Sequence, residues 1–249
     1  MSSVVESVAG PEDLGESGGA FERVLDQIGP LICGGVLRAG DVFTVEELEQ
    51  RIGASRSIVR EAVRVLAASG LLSARRRVGL RVLDQSHWDA FNPLVVRWRL
   101  SSPARQDQLR DLLEVRAAVE PEAARLAALR LPISEKARLA SIVERFRNDE
   151  LMAQGDGFLD VDTEFHLFVL HTSNNSLFMR LGSIIEETLR DRALHDRGDL
   201  PPDGPDLQLH IDVADHIANG RASKAETAMR TIIRRTASDS LARAGITRN

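Results

Sequence analysis

The sequence predicts a mainly α-helical chain in two parts, a small helical unit closed by a hairpin and a larger all-helical bundle. Three observations predict it. Apolar residues recur at helical spacing through most of the chain, strand-like alternation is confined to residues 71–83, and 249 residues suffice for two modest domains.

Residues 1–20 are rich in Ser, Gly and Glu and show no apolar period, so they are expected to form a disordered arm. Val24, Leu25, Ile28, Leu31 and Ile32 then mark a first helix, loosened at its end by Gly34 and Gly35. Gly40-Asp41 makes a turn. Thr44 and Glu47 have capping-box spacing, which starts a second helix that stops at Gly53. Ser55 caps a third, which buries Val59, Ala62, Val63 and Leu66 and ends at Gly70. Residues 71–83 alternate as two strands with Gly79 at a turn. Helix, helix, tight turn, helix, hairpin is the order of a winged helix-turn-helix. From residue 88 on, helical periods take over, punctuated by Pro103, Pro132, Asn174-Asn175 and the loop Pro201–Pro205. Six or seven helices in one all-α bundle are expected there. The predicted organisation is a disordered arm at 1–20, a winged helix-turn-helix at 21–83, a linker at 84–92 and the bundle at 93–249.

Composition narrows the classes. Hydrophobic residues make up 43% and charged residues 28%, an ordinary balance for a soluble protein. No apolar run approaches the roughly 18 residues of a membrane span, and no signal peptide opens the chain, so a cytoplasmic location without membrane partners is expected. Cys33 is the only cysteine, which excludes an intrachain disulfide and a Cys-based zinc site. The net charge of −5 is unevenly spread: residues 21–83 carry ten Arg against seven Asp or Glu.

Those arginines form two clusters. Arg56, Arg60 and Arg64 lie four residues apart and share one helix face, opposite the apolar one. Such a helix suits the major groove, where Arg bonds phosphates or reads guanine through its planar fork. A solvated Arg stripe is the bland alternative. Arg75, Arg76, Arg77 and Arg81 flank Gly79 in the hairpin, which suits backbone and minor-groove contact, or merely blunts a sheet edge. Two adjacent clusters favour DNA, and one short reading helix favours a homodimer on a two-fold related operator.

The run Ile52-Gly53-Ala54-Ser55-Arg56-Ser57-Ile58-Val59-Arg60-Glu61-Ala62-Val63-Arg64-Val65-Leu66 with Gly70-Leu71 resembles the recognition region of GntR-family regulators. The resemblance implies operator contacts from Ser55, Arg56 and Arg60 and a wing glycine near the minor groove. Thr44, Ser57, Arg64, Arg75, Arg77 and Gly79 complete the candidate DNA-binding set. Three features depart from the family. Val42-Phe43-Thr44-Val45 stands where Leu-Pro-Ser-Glu is usual, Glu46 falls where a basic residue often meets DNA, and only one wing glycine remains.

In the bundle, Asp162 and His166 are four apart on an apolar helix and His210 lies on a later one. Two His and one carboxylate form a ligand set for Zn, Ni, Mn or Fe. An i,i+4 Asp–His pair is also a common helix-surface hydrogen bond. Residues 105–240 resemble the FCD domain, the effector module of the FadR subgroup. The matching stretches are Glu114-Val115-Arg116 with Glu120-Pro121, Asp162 to His166, Ser173-Asn174-Asn175 and His210 to Gly220. Many such domains hold a metal with one Asp and three His. Three of these match Asp162, His166 and His210, and the fourth falls on Ile232, which cannot ligate. Sugar-acid regulators of the galactonate type resemble this chain in lacking that last His.

The resemblance implies a divalent metal, Zn or similar, and a small carboxylate or sugar-acid effector held by Arg116, Asn175, His166 and His210. For Arg116 an ion pair with Glu120 is the alternative, and for Asn175 a helix cap. The expected function is a DNA-binding repressor of a sugar-acid catabolism operon, released by its effector. A metal-dependent oxygenase or hydrolase built on Asp162, His166 and His210 is the competing class. The linker near Asp84–Phe91 and a helix at Trp88 are where motion is expected to pass between the domains.

Overall fold

The computed structural model describes residues 19–75, 79–152, 155–197 and 204–243. The chain divides into two compact units after Trp88.

The first unit holds three helices and a small sheet. They are α1 (Ala20–Cys33), β1 (Val42–Phe43), α2 (Val45–Ile52), α3 (Arg56–Ala68), β2 (Leu72–Arg75) and β3 (Gly79–Val82). α1 and α2 pack on α3, burying Val24, Leu25, Ile28, Leu48, Val59, Ala62 and Leu66 as the apolar spacing predicts. The sheet is antiparallel in the order β1-β3-β2, with Val42 opposite Arg81 and Leu72 opposite Val82. β1 was not foreseen, because two residues carry no alternation and become a strand only by pairing with β3. The capping box of α2 is formed in both directions, between the Thr44 side chain and Glu47 N and between the Glu47 carboxylate and Thr44 N.

Two glycines fix the wing. Gly70 turns the chain out of α3 at φ 77°, and a Cβ there would lie 2.0 Å from the His87 carbonyl oxygen. Only glycine permits that approach. Gly79 opens β3 at φ 98°, with a Cβ position 2.8 Å from the Phe43 carbonyl oxygen. The stretch after the wing is held too: Asp84 caps a single helical turn at Gln85–His87, and the Trp88 indole N–H donates to the Leu83 carbonyl. Trp88 therefore lies outside any helix, contrary to expectation. The next helix begins at Pro93, whose fixed φ suits a first helical position.

The second unit comprises α4 (Pro93–Leu100), α5 (Arg105–Arg130), α6 (Lys136–Phe146), α7 (Asp149–Met152), α8 (Gly155–Thr172), α9 (Ser176–Arg180), α10 (Gly182–Arg192), α11 (Gly204–Ala218) and α12 (Ala222–Arg243). This is more than the six or seven expected, because α7 and α9 are single turns too short to show a period. The main core joins α5, α6, α8, α10, α11 and α12 through residues such as Phe146, Phe165, Phe168, Leu189, Val213 and Ile233. A second, smaller cluster packs Val96 and Leu100 of α4 on Leu109, Leu112 and Leu113 of α5 and Ile184 of α10. Among the described residues no helix is long and apolar enough to cross a membrane.

Candidate functional site

The exposed face of α3 carries Arg56, Ser57, Arg60 and Arg64, while Val59, Ala62, Val63 and Leu66 face inward. Ser55 occupies the position before the helix, but its hydroxyl lies 3.1 Å from the Ser57 hydroxyl and makes no cap to the backbone. Arg56 donates from Nη2 to Glu46 Oε1 at 2.7 Å, and its Nε lies 3.7 Å from Glu49 Oε1. Arg64 pairs with Glu61 at 2.6 Å. The Thr44 hydroxyl is engaged in the capping box. Arg75 and Arg81 are exposed on the sheet, whereas Arg76 and Arg77 lie outside the described residues.

The second site is buried where four helices of the bundle meet. Asp162 and His166 share one face of α8, one helical turn apart. α5 brings Arg116 and Glu120, α11 brings His210 and α10 brings Arg192. Arg116, Glu120, His166 and His210 are each only 1% exposed. Arg116 donates from Nε to Glu120 Oε1 at 2.5 Å, and its Nη2 lies 3.4 Å from both Glu120 Oε2 and His166 Nε2. Arg116 Nη1 has no hydrogen-bond partner. His166 Nδ1 is 2.5 Å from Glu120 Oε2 but is not aligned as a hydrogen bond.

Asp162 is the hub. Its Oδ1 lies 3.3 Å from His166 Nε2 and 2.9 Å from His210 Nε2, and its Oδ2 lies 3.9 Å from Arg192 Nη1. His210 Nδ1 donates to the Asp206 carbonyl at 2.7 Å, which orients the ring and turns Nε2 toward Asp162. Phe146 and Phe165 wall the imidazole, with ring centroids 5.1 and 5.3 Å away.

The charges are mutually dependent. Burial alone would push the Glu120 carboxyl up, but Arg116 and His166 outweigh it and hold the group at about 2. Burial likewise opposes the Asp162 carboxylate, and His166 and His210 hold it well below the usual range. Burial disfavours a charged His166, and Glu120 with Asp162 outweighs it, so its basicity is raised.

The ligating atoms of Asp162, His166 and His210 all lie within 4.8 Å of one another. His210 Nε2 is buried and lacks a hydrogen-bond partner although a carboxylate oxygen is in reach, which is the arrangement a cation resolves. These three residues therefore fit a divalent ion with open positions. Ile232 is packed in the apolar core.

Asn175 sits before α9, and its side-chain oxygen accepts from the Leu177 and Phe178 amides, so the capping reading describes its contacts. His171, His195 and His216 are not brought to the cluster; His195 instead lies 3.2 Å from Asp191. Arg192, at the end of α10, faces Asp162. Sequence reasoning passed over two contributions. Glu120 approaches His166 as well as Arg116. α10 is also tied by two-pronged Arg–carboxylate pairs, Arg97 to Glu187 at 3.1 and 2.6 Å and Arg105 to Asp191 at 3.0 and 2.7 Å. The i,i+4 spacing of Arg116 and Glu120 was the only local signal.

Comparison with known families matches the FCD domain over residues 111–235 and the bacterial regulatory proteins of the gntR family over residues 20–82. The chain belongs to the GntR family and carries an FCD domain. It is a transcriptional regulator of the FadR-like type, and the metalloenzyme class falls with that membership. Among relatives, the galactonate operon transcriptional repressor of Escherichia coli K12 is 29% identical over 85% of this chain and 93% of its own length. The Glc operon transcriptional activator of the same organism is 29% identical over 64% of this chain and 62% of its own. The solved structure of Lar, described as controlling expression of the Listeria monocytogenes agr system, shares the fold. It does so at a TM-score of 0.56 and 15% identity, covering 94% of this chain and 100% of that one.

Proposed function

We propose that this GntR regulator represses a sugar-acid catabolism operon and releases its operator when a small carboxylate enters the buried cluster of the FCD domain. The observation that carries the reading is Arg116. Its Nη1 is a buried charged donor with no acceptor, and desolvation makes such a group costly until an anion meets it. A ligand carboxylate on Arg116, with hydroxyls toward His166 and His210, satisfies the atoms left over. A fatty acid would leave the polar ones unpaired. A divalent ion on Asp162, His166 and His210 would supply further positive charge for the same anion. Similarity to the galactonate operon repressor supports a sugar acid such as galactonate or gluconate, and repression.

On the DNA side, Arg56, Arg60 and Arg64 on α3 with Ser55, Ser57, Arg75 and Gly79 suit major-groove reading by a homodimer, with the wing at the backbone. Binding must change the balance of two arrangements to release DNA. The double-pronged ties from α10 to Arg97 and Arg105 support α10 as the carrier. The same helix holds Arg192 against Asp162, and α4 begins five residues after Trp88. A melting-temperature screen of sugar acids against the matching neutral sugars, with and without chelator, tests the reading. A rise with acids alone is expected; equal rises with neutral sugars would overturn it.

A further inference from the structure

Glu46 is an acid in a place where it should oppose DNA, and its position is well defined. The capping box at Thr44 and Glu47 fixes the start of α2, and Glu46 is that helix's second residue. Glu47 is engaged in the cap, so Glu46 and Glu49, one turn apart, are the carboxylates turned toward Arg56. They meet the first residue of α3 across the turn Gly53-Ala54-Ser55. The pair is well exposed, with side chains 59% and 55% accessible. An exposed ion pair adds little to stability, so its place on the reading face calls for another account.

We propose that Glu46 is a specificity-determining positioning residue, which aims the Arg56 guanidinium at a base edge and denies it to phosphate. This rests on the reading that α3 faces DNA. Two physical effects support it. A carboxylate on Nη2 and another near Nε engage one edge of the planar fork, leaving Nη1 and the remaining Nη2 hydrogen for an outside acceptor. Less side-chain freedom is then lost when they meet an acceptor pair. The carboxylates also offset the Arg56 charge and repel phosphates near the start of α2. That weakens the sequence-independent counterion-release contribution while leaving base contact intact. Glu46 thereby lowers non-specific binding more than specific binding.

The test uses the full chain and a pool of random-sequence duplex DNA, with wild type, Glu46→Gln and Arg56→Ala. Glu46→Gln removes the charge from an exposed position and should melt like wild type. It is expected to bind the unselected pool more tightly and with a steeper salt dependence, the slope changing by about −0.9, one additional phosphate contact. Selection from the pool should lose preference at one base position, the one that Arg56→Ala also loses. If Arg56→Ala loses that position but Glu46→Gln matches wild type in selected motif and salt slope, the inference is overturned and the reading of α3 stands. If Arg56→Ala selects and binds like wild type, the reading of α3 fails and the inference with it.

Discussion

Asp162 Oδ1 lies 2.9 Å from His210 Nε2 with no hydrogen bond between them. The Asp206 carbonyl accepts from His210 Nδ1 and so orients the ring, turning Nε2 toward Asp162 in an apolar surround. A divalent cation held by both groups would give Nε2 the partner it lacks.

Chelator-stripped protein titrated with Zn²⁺ or Mn²⁺ is expected to take up about one ion per chain at Asp162, His166 and His210 and to melt higher. His210→Ala should abolish both effects. Metal analysis showing less than about a tenth of an equivalent bound would contradict the site.

Arg116 and Glu120 are a buried pair, and breaking one strands the other. Arg116→Ala is expected to destabilise by about 3–5 kcal/mol, read by denaturant unfolding. Adding Glu120→Gln should recover part of that loss. A double variant no more stable than Arg116→Ala would show that the pair is not the reason.

Stability of the metal-free protein should peak in mildly acidic solution. Glu120 and Asp162 are depressed below their ordinary 4.5 and 3.8, so their contribution is present above those values and lost as pH falls through the folded ones. His166 is raised, so its contribution is present below its ordinary 6.5 and lost as pH rises through the folded value. The melting temperature should therefore be highest between about 4.5 and 6.5. His166→Gln should flatten the alkaline limb, and an unchanged limb would refute the assignment.

Much of this was legible in local spacing. The capping box at Thr44 and Glu47, the Arg face of α3 and the Asp162–His166 pair all depend on residues three or four apart, which a helix places together wherever it packs. Arg192 and the second contact of Glu120 depend on how α10 and α5 approach α8, which no local period encodes. The Glu46–Arg56 pair spans a turn between two helices, so Glu46 read only as a departure from the family. β1 exists through its partner strand, and the Trp88 segment is set by Gly70 and the Leu83 carbonyl rather than by its own composition.

On DNA, Arg56→Ala and Arg60→Ala should each weaken specific operator binding by about 1–3 kcal/mol if they read bases. A gel shift in which both bind like wild type would remove α3 as the reader.

Along α10, Arg97→Ala is expected to keep effector binding, seen as an undiminished melting shift, while raising the effector concentration needed for release. Wild-type release by this variant would show that the tie to Glu187 carries no signal.

The most direct test of the central claim is release itself. An operator duplex obtained by selection, labelled for fluorescence anisotropy and bound by the full chain, is titrated with galactonate or gluconate and, in parallel, with galactose or glucose. A carboxylate-gated site predicts a fall in anisotropy to that of free DNA with the acids, and a complex that persists in the neutral sugars at the same concentrations. Release by the neutral sugars at matching concentrations, or a complex untouched by either acid, would contradict it.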